Sequence, residues 1–150
     1  MRNLIIIIYF FIIYANSHEY KKNNVIVDHP ILKVNSDKAK VGAGYLKIIN
    51  NSKKNIYFKN IESDVSKKQE VHEVIKENDI YKMRPIQESM RVLPGEELVL
   101  KAKSYHIMFF NFIQPLKNND MINANLIFEQ ALTIPIKFKI VIGNSEHKHH

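Results

Sequence analysis

The stretch LPGEELVLKAKSYHIMFFNF, residues 93–112, indicates the fold class most clearly. A Pro-Gly turn at 94–95 precedes two short segments rich in Val, Ile, Leu and Phe, at 97–102 and 106–112. Short apolar segments separated by turn-forming residues are typical of the strands of a β-sandwich or barrel. The stretch therefore predicts two consecutive strands of an all-β protein.

The same pattern continues in both directions along the chain. No segment shows a sustained apolar period of about 3.6 residues, so we expect no long helix. With 150 residues, 45% of them hydrophobic and 25% charged, the chain fits a single globular domain. The candidate strands are 25–27, 31–34, 44–50, 54–63, 70–76, 80–84, 91–93, 97–102, 106–112, 123–128 and 133–141.

Residues 1–17 have the composition of a secretory signal peptide. Arg2 precedes an uncharged apolar run at 4–14, and the small residues Ala15 and Ser17 fit a cleavage site. The run is shorter than the roughly 20 residues that a membrane-spanning helix needs. We expect export, cleavage after Ser17 and no stable membrane insertion afterwards; an uncleaved anchor is the alternative.

The rest of the chain divides into three parts by composition. Residues 18–38 contain a short polar leader, at 19–24, and the first strands, while 39–142 form the main β-domain. Residues 143–150 are polar and end in His147-Lys148-His149-His150, so we expect a mobile tail.

Charge and cysteine content exclude several classes of function. The formal net charge is +7, but the lysines are scattered and are not combined with aromatic residues on one recognisable helix. A nucleic-acid binder is therefore not expected. The chain has no cysteine, so it has neither disulfides nor a thiolate for a metal. Any soft metal ligand must be methionine.

Two segments hold histidine close to methionine, VHEVIKENDIYKM at 71–83 and YHIM at 105–108. Residues two apart in a strand point to the same face, so we expect His106 and Met108 to project together. The first segment is predicted to be a hairpin. A two-residue loop at 77–78 would place His72 opposite Met83, and a four-residue loop would place it opposite Pro85 with Met83 on the diagonal.

Both registers leave His72 and Met83 on one face, so two imidazoles and two thioethers can converge from neighbouring strand pairs. Thioether sulfur is soft and uncharged and suits Cu(I), and imidazole binds copper in either oxidation state. Met90 and Met121 are interpreted as packing residues, since Met commonly fills gaps in cores. His29, which precedes Pro30, is interpreted as part of an extended leader.

The chain resembles the periplasmic copper chaperones known as PCuAC. Their signature is a His, a Met after ten intervening residues, and a His-x-Met pair some twenty residues later. Here ten residues separate His72 from Met83, twenty-two separate Met83 from His106, and His106-Ile107-Met108 completes the pattern. Val74 stands where many members have an auxiliary Met. The resemblance covers about 39–141 and includes KVGAGYLKIIN (40–50), KMRPI (82–86), LPGEELVLK (93–101) and YHIMFFNFIQPLKNND (105–120).

The resemblance implies a cupredoxin-like Greek-key β-sandwich or barrel. It also implies a periplasmic Cu(I) chaperone that delivers copper to the binuclear copper centre of cytochrome c oxidase. The expected partner is the copper-site subunit of the oxidase or another copper-assembly protein, and we expect a monomer without catalytic activity. Sequestration of copper for tolerance, without a delivery partner, is the alternative.

Two further functional classes, electron transfer and catalysis, lack the motifs that they need. A blue-copper electron-transfer site needs a Cys thiolate, which the chain lacks. No nucleophile elbow, HExxH or paired-carboxylate motif indicates an enzyme.

A second, weaker site for Cu(II) is expected from four further histidines, because short histidine tracts bind metals: His18, His147, His149 and His150.

Overall fold

The computed structural model describes residues 18–143, which form eleven β-strands and no helix. The expected all-β class is confirmed. The signal peptide predicted at 1–17 and the histidines at 147, 149 and 150 lie outside the described residues. The strands are β1 (Glu19–Lys22), β2 (Val25–Val34), β3 (Val41–Asn50), β4 (Ile56–Glu62), β5 (Ser66–Glu77), β6 (Ile80–Pro85), β7 (Met90–Val92), β8 (Glu97–Leu100), β9 (His106–Phe112), β10 (Met121–Phe128) and β11 (Thr133–Ile142).

All eleven strands belong to one hydrogen-bonded network. Its main path runs β6-β5-β9-β3-β2-β11-β10-β4-β7, with β1 paired to β2 and β8 paired to β3. The pairing of β11 with β2 is parallel, and the other pairings are antiparallel. β4 and β5, which lie near opposite ends of the path, also approach each other. The sheet therefore folds over onto itself and encloses one core.

The core follows the alternation of apolar side chains along the strands. In β9, Ile107 and Phe109 are fully buried, whereas Met108 between them is only partly buried. The Phe109 ring packs edge-on against Phe138, with 5.5 Å between the ring centroids. Because neighbouring residues of a strand face opposite sides, the inward positions pack the core and the outward positions are free for other roles.

The N-terminal part of the described chain differs from the expectation. The polar segment at 19–24 is not a leader, because Glu19–Lys22 forms β1, which turns through Asn23 and Asn24 into β2. Both asparagines have positive φ, 50° and 61°, as a tight hairpin turn requires. Since β2 pairs with both β3 and β11, residues 18–38 are part of the same domain as the rest.

The two strands expected at 25–27 and 31–34 form one irregular strand. The register of β2 against β3 shifts between Asp28 and Ile31, and His29 has a φ of 48°. Pro30 lacks a backbone N–H, which favours such an irregularity over a regular ladder. Within residues 18–143, no helix is long and apolar enough to cross a membrane.

Candidate metal centre

The predicted ligands lie on the outward face of three neighbouring strands, β6, β5 and β9. His72 of β5 is directly opposite His106 of β9, and their ring centroids are 6.0 Å apart. Directly opposed residues of an antiparallel pair project to the same face. The long-range pairing of β5 with β9 thus brings together two histidines that are far apart in the sequence.

The two methionines lie on opposite sides of the histidine pair. Met108 follows His106 by two residues in β9 and is opposite Glu70 of β5. Met83 of β6 is opposite Val74, which follows His72 by two residues in β5. An unbranched thioether side chain has three rotatable bonds and can reach back toward the imidazoles from either side.

The β5–β6 hairpin adopts the second of the two predicted registers. His72 is opposite Pro85, so the register that would place it directly opposite Met83 does not form. The turn is neither of the two expected loops but the dipeptide Asn78-Asp79, with φ values of 49° and 63°. Positive φ at both central residues matches the twist of antiparallel strands, and Asn and Asp adopt it readily. Met83 and His72 still share a face.

An open depression of about 480 Å³ lies beside the histidine pair. Three of the four predicted ligands contribute to its lining, and His72 borders it through its contact with His106. Met83 is 64% exposed, whereas His106 is only 4% exposed. The lining residues are Ala43, Tyr45, Val74, Tyr81, Met83, Ala102, Lys103, His106 and Met108.

The lining is mostly apolar and contains little that would bind a hard cation. Between residues 18 and 143, no three histidine or acidic side chains are placed to hold a metal ion together. Any site here therefore depends on the thioethers, which bind soft ions such as Cu(I) in preference to Zn²⁺, Mg²⁺ or Ca²⁺. Burial raises the pKa of Tyr45, so its hydroxyl remains protonated and uncharged at neutral pH.

Each histidine of the pair is held by a hydrogen bond. His106 Nδ1 lies 2.8 Å from the carbonyl oxygen of Ser104. His72 Nε2 lies 3.0 Å from Oε2 of Glu70, whose Oε1 accepts a hydrogen bond from Lys68 Nζ at 2.7 Å. The bonds from Lys68 and then from His72 lower the pKa of Glu70, because both stabilise its ionised form.

The remaining predicted residues are only partly described. The backbone carbonyl of His18, the residue before β1, accepts a hydrogen bond of 3.2 Å from the N–H of His29. The side chain of His29, which the sequence reasoning set aside, contacts the Asp28 carboxylate. The other three histidines of the expected Cu(II) site lie outside the described residues, so that site stays a prediction. Met90 and Met121 do not line the depression.

The sequence reasoning missed several residues that surround the ligands. Glu70 could have been found, because it precedes His72 by two residues in the same strand and so shares its face. Tyr45 and Ala43 could not, since only the pairing of β3 with β9 brings them to the site. Tyr81, Ala102 and Lys103 likewise reach the depression through the hairpin and the turn before β9.

The LpqE-like lipoprotein family model matches residues 25–140, more than half of the chain. The chain belongs to the LpqE-like family. The matched range includes every strand from β2 to β10 and most of β11, and hence all four predicted copper ligands. No curated protein matches the sequence.

Several solved structures share the fold of this LpqE-like chain. The copper-bound PCuAC domain from PmoF2 has a TM-score of 0.68 at 13% identity, with 84% of this chain and 99% of that chain covered. The apo PCuAC domain from PmoF1 has a TM-score of 0.69 at 19% identity, with 84% and 100% covered. Cu(I)-bound DR1885 from Deinococcus radiodurans has a TM-score of 0.56 at 16% identity, with 75% and 74% covered. The fold is therefore the cupredoxin-like β fold of the PCuAC domains, as expected.

Proposed function

We propose that this protein is an exported copper chaperone that carries one Cu(I) ion. The ligands are His72, Met83, His106 and Met108. The observation that supports this most directly is the cross-strand pair of histidines, with a methionine on either side of it on the same outward face. Two structures with the same fold, the PCuAC domain from PmoF2 and DR1885, hold copper, which supports this assignment.

The ligand set suits a carrier better than a permanent site. Two neutral thioethers and two imidazoles satisfy Cu(I) without a thiolate that could be oxidised to a disulfide after export. Met83 is 64% exposed on β6, which forms one end of the sheet. A soft ligand of a partner can replace its thioether first, while the less exposed His106 still holds the ion. The chain transfers the ion in this way without catalysing a reaction.

The destination that we propose is the binuclear copper centre of cytochrome c oxidase. The chain would act as a monomer in the periplasm, delivering the ion to the copper-site subunit or to another copper-assembly protein. Sequestration for copper tolerance uses the same ligands and is the competing function. Deletion of the gene should lower oxidase activity at low copper if the protein delivers the ion. Unchanged oxidase activity together with increased sensitivity to copper would favour sequestration.

Copper binding is tested by anaerobic titration of Cu(I) against a chromophoric chelator. The protein should bind one equivalent tightly, and the Met83→Ala/Met108→Ala variant should lose that binding. The matched control is Met90→Ala/Met121→Ala, which also removes one partly buried and one exposed methionine, but away from the depression. Equal Cu(I) affinity in the two double variants would refute the ligand assignment.

We also propose that the terminal histidines collect a second copper ion as Cu(II). His18, His147, His149 and His150 are the candidate ligands, and neutral imidazole is a good ligand for Cu(II). Truncation after Ser145 should weaken or change the electron-spin signal of bound Cu(II) and leave Cu(I) binding intact. An unchanged Cu(II) signal would remove the tail from this site.

A further inference from the structure

The two imidazoles of the copper site are hydrogen-bonded through different ring nitrogens. His106 uses Nδ1, which lies 2.8 Å from the Ser104 carbonyl oxygen. His72 uses Nε2, which lies 3.0 Å from Oε2 of Glu70. A carbonyl and an ionised carboxylate only accept hydrogen bonds, so each of these nitrogens carries the proton and donates it.

A neutral imidazole has one protonated nitrogen and one free lone pair. In His106 the lone pair is therefore on Nε2, and in His72 it is on Nδ1. A metal binds the nitrogen with the lone pair, and the hydrogen bond of the other nitrogen fixes which one that is. The two histidines thus offer copper different atoms, although they are direct cross-strand partners.

Glu70 is itself held in place. Its two oxygens have separate partners, because Oε1 accepts from Lys68 Nζ at 2.7 Å while Oε2 accepts from His72. The ring of Phe110 also lies near His72, with its centroid 6.0 Å from the imidazole. The side chain of His72 is 13% exposed and that of Glu70 is 26% exposed, so water competes only partly for this hydrogen bond.

We propose that Glu70 is a positioning residue of the copper site. It holds His72 in the tautomer with the proton on Nε2, so that Cu(I) binds Nδ1 of His72 and Nε2 of His106. This inference rests on the proposed copper-binding function. Direct binding of copper by Glu70 is disfavoured, because a carboxylate is a hard ligand and both of its oxygens are already engaged.

The tautomers are measured by long-range 1H–15N correlation spectra of protein labelled with 15N-histidine. The spectra are recorded at a pH of about 8, above the ordinary pKa of imidazole of about 6.5. The apo spectrum should show a protonated Nε2 in His72 and a protonated Nδ1 in His106. One equivalent of Cu(I) should then shift Nδ1 of His72 and Nε2 of His106.

Three variants separate positioning from a general effect of charge. Glu70→Ala should give a mixture of His72 tautomers and weaken Cu(I) binding about 10-fold to 100-fold, as loss of such a partner does. Glu70→Gln retains an oxygen that accepts the Nε2 proton, so it should restore the tautomer and most of the affinity. The control is Glu73→Ala, which removes the carboxylate next to His72 in sequence that pairs with Arg84 instead. This variant should change neither the His72 tautomer nor the Cu(I) affinity.

The outcomes distinguish this inference from the function on which it rests. If wild-type protein binds Cu(I) but the ion shifts Nε2 of His72, the inference is wrong and the copper-binding function stands. If Glu70→Ala leaves the His72 tautomer unchanged, Glu70 does not position the ring. The same conclusion follows if Glu70→Gln shows the tautomer mixture and the Cu(I) affinity of Glu70→Ala. If wild-type protein binds no Cu(I), the proposed function fails and the inference fails with it.

Discussion

Replacement of Met83 by Ala should separate copper binding from folding. Met83 is 64% exposed, so only about a third of its side chain is removed from water on folding. Complete burial of a Met side chain contributes about 1.5 to 3 kcal/mol, and the loss here should be about 0.5 to 1 kcal/mol. For a domain of this size that corresponds to a fall in Tm of less than about 5 °C.

The effect of Met83→Ala on Cu(I) should be larger. Loss of an outer partner of a metal ligand commonly weakens binding about 10-fold to 100-fold, so loss of a ligand should cost at least about tenfold, or ~1.4 kcal/mol. Competition with a chelator gives the Kd, and thermal unfolding of the apo protein gives the Tm. Met121→Ala is the control, because Met121 is also exposed and does not line the depression. An unchanged Kd in Met83→Ala would remove this residue from the site.

Three further predictions concern the scaffold. Gly44→Ala should destabilise the fold by about 1 to 3 kcal/mol in urea denaturation, because the added Cβ would lie 2.9 Å from a phenylalanine ring carbon. An unchanged urea midpoint would contradict this prediction. Asn50→Ala should lower the free energy of unfolding by about 2 kcal/mol or more in the same assay. Asn50 is fully buried, and its amide donates a hydrogen bond of 2.9 Å to the Val92 carbonyl. A smaller loss of stability would mean that water replaces the missing donor. Hydrogen bonds, first of all that from Lys68, lower the pKa of Glu70 in the folded protein. Ionised Glu70 therefore stabilises the fold at a pH above 4.5, its ordinary pKa. This stabilisation is lost as the pH falls through the lower pKa that Glu70 has in the folded protein. The Tm advantage of wild type over Glu70→Gln should therefore be present at pH 6 and vanish at acidic pH; an advantage that persists at pH 2 would contradict it.

The strands could be predicted from sequence because local alternation determines them. Apolar segments between turn formers gave ten of the eleven strands in outline, with the segments at 25–27 and 31–34 joined into β2. β1 was not predicted, because Glu19–Lys22 is polar and mostly exposed. Its pairing with β2 makes this segment a strand. Such a strand carries no hydrophobic signal of its own.

The candidate site was predictable in its residues but not in its geometry. Side chains alternate between the two faces of a strand, so His106 and Met108 share a face whatever the rest of the fold is. The pairing of His72 with His106 depends instead on which strands become neighbours, and local patterns do not determine that. The hairpin register depended on whether the turn began at Glu77 or Asn78, and the left-handed backbone of Asn78 and Asp79 decides it.

The Asn78-Asp79 turn lines no part of the depression, yet it determines what Met83 can do. Side chains alternate between the two faces of a strand, so one inserted or deleted turn residue would send the thioether to the far side of β6. Most surface loops tolerate such changes in length. Here the core would remain intact, since β6 is exposed along its whole length, and the copper site would lose a ligand. The length of this hairpin is therefore subject to a functional constraint that stability measurements would not detect.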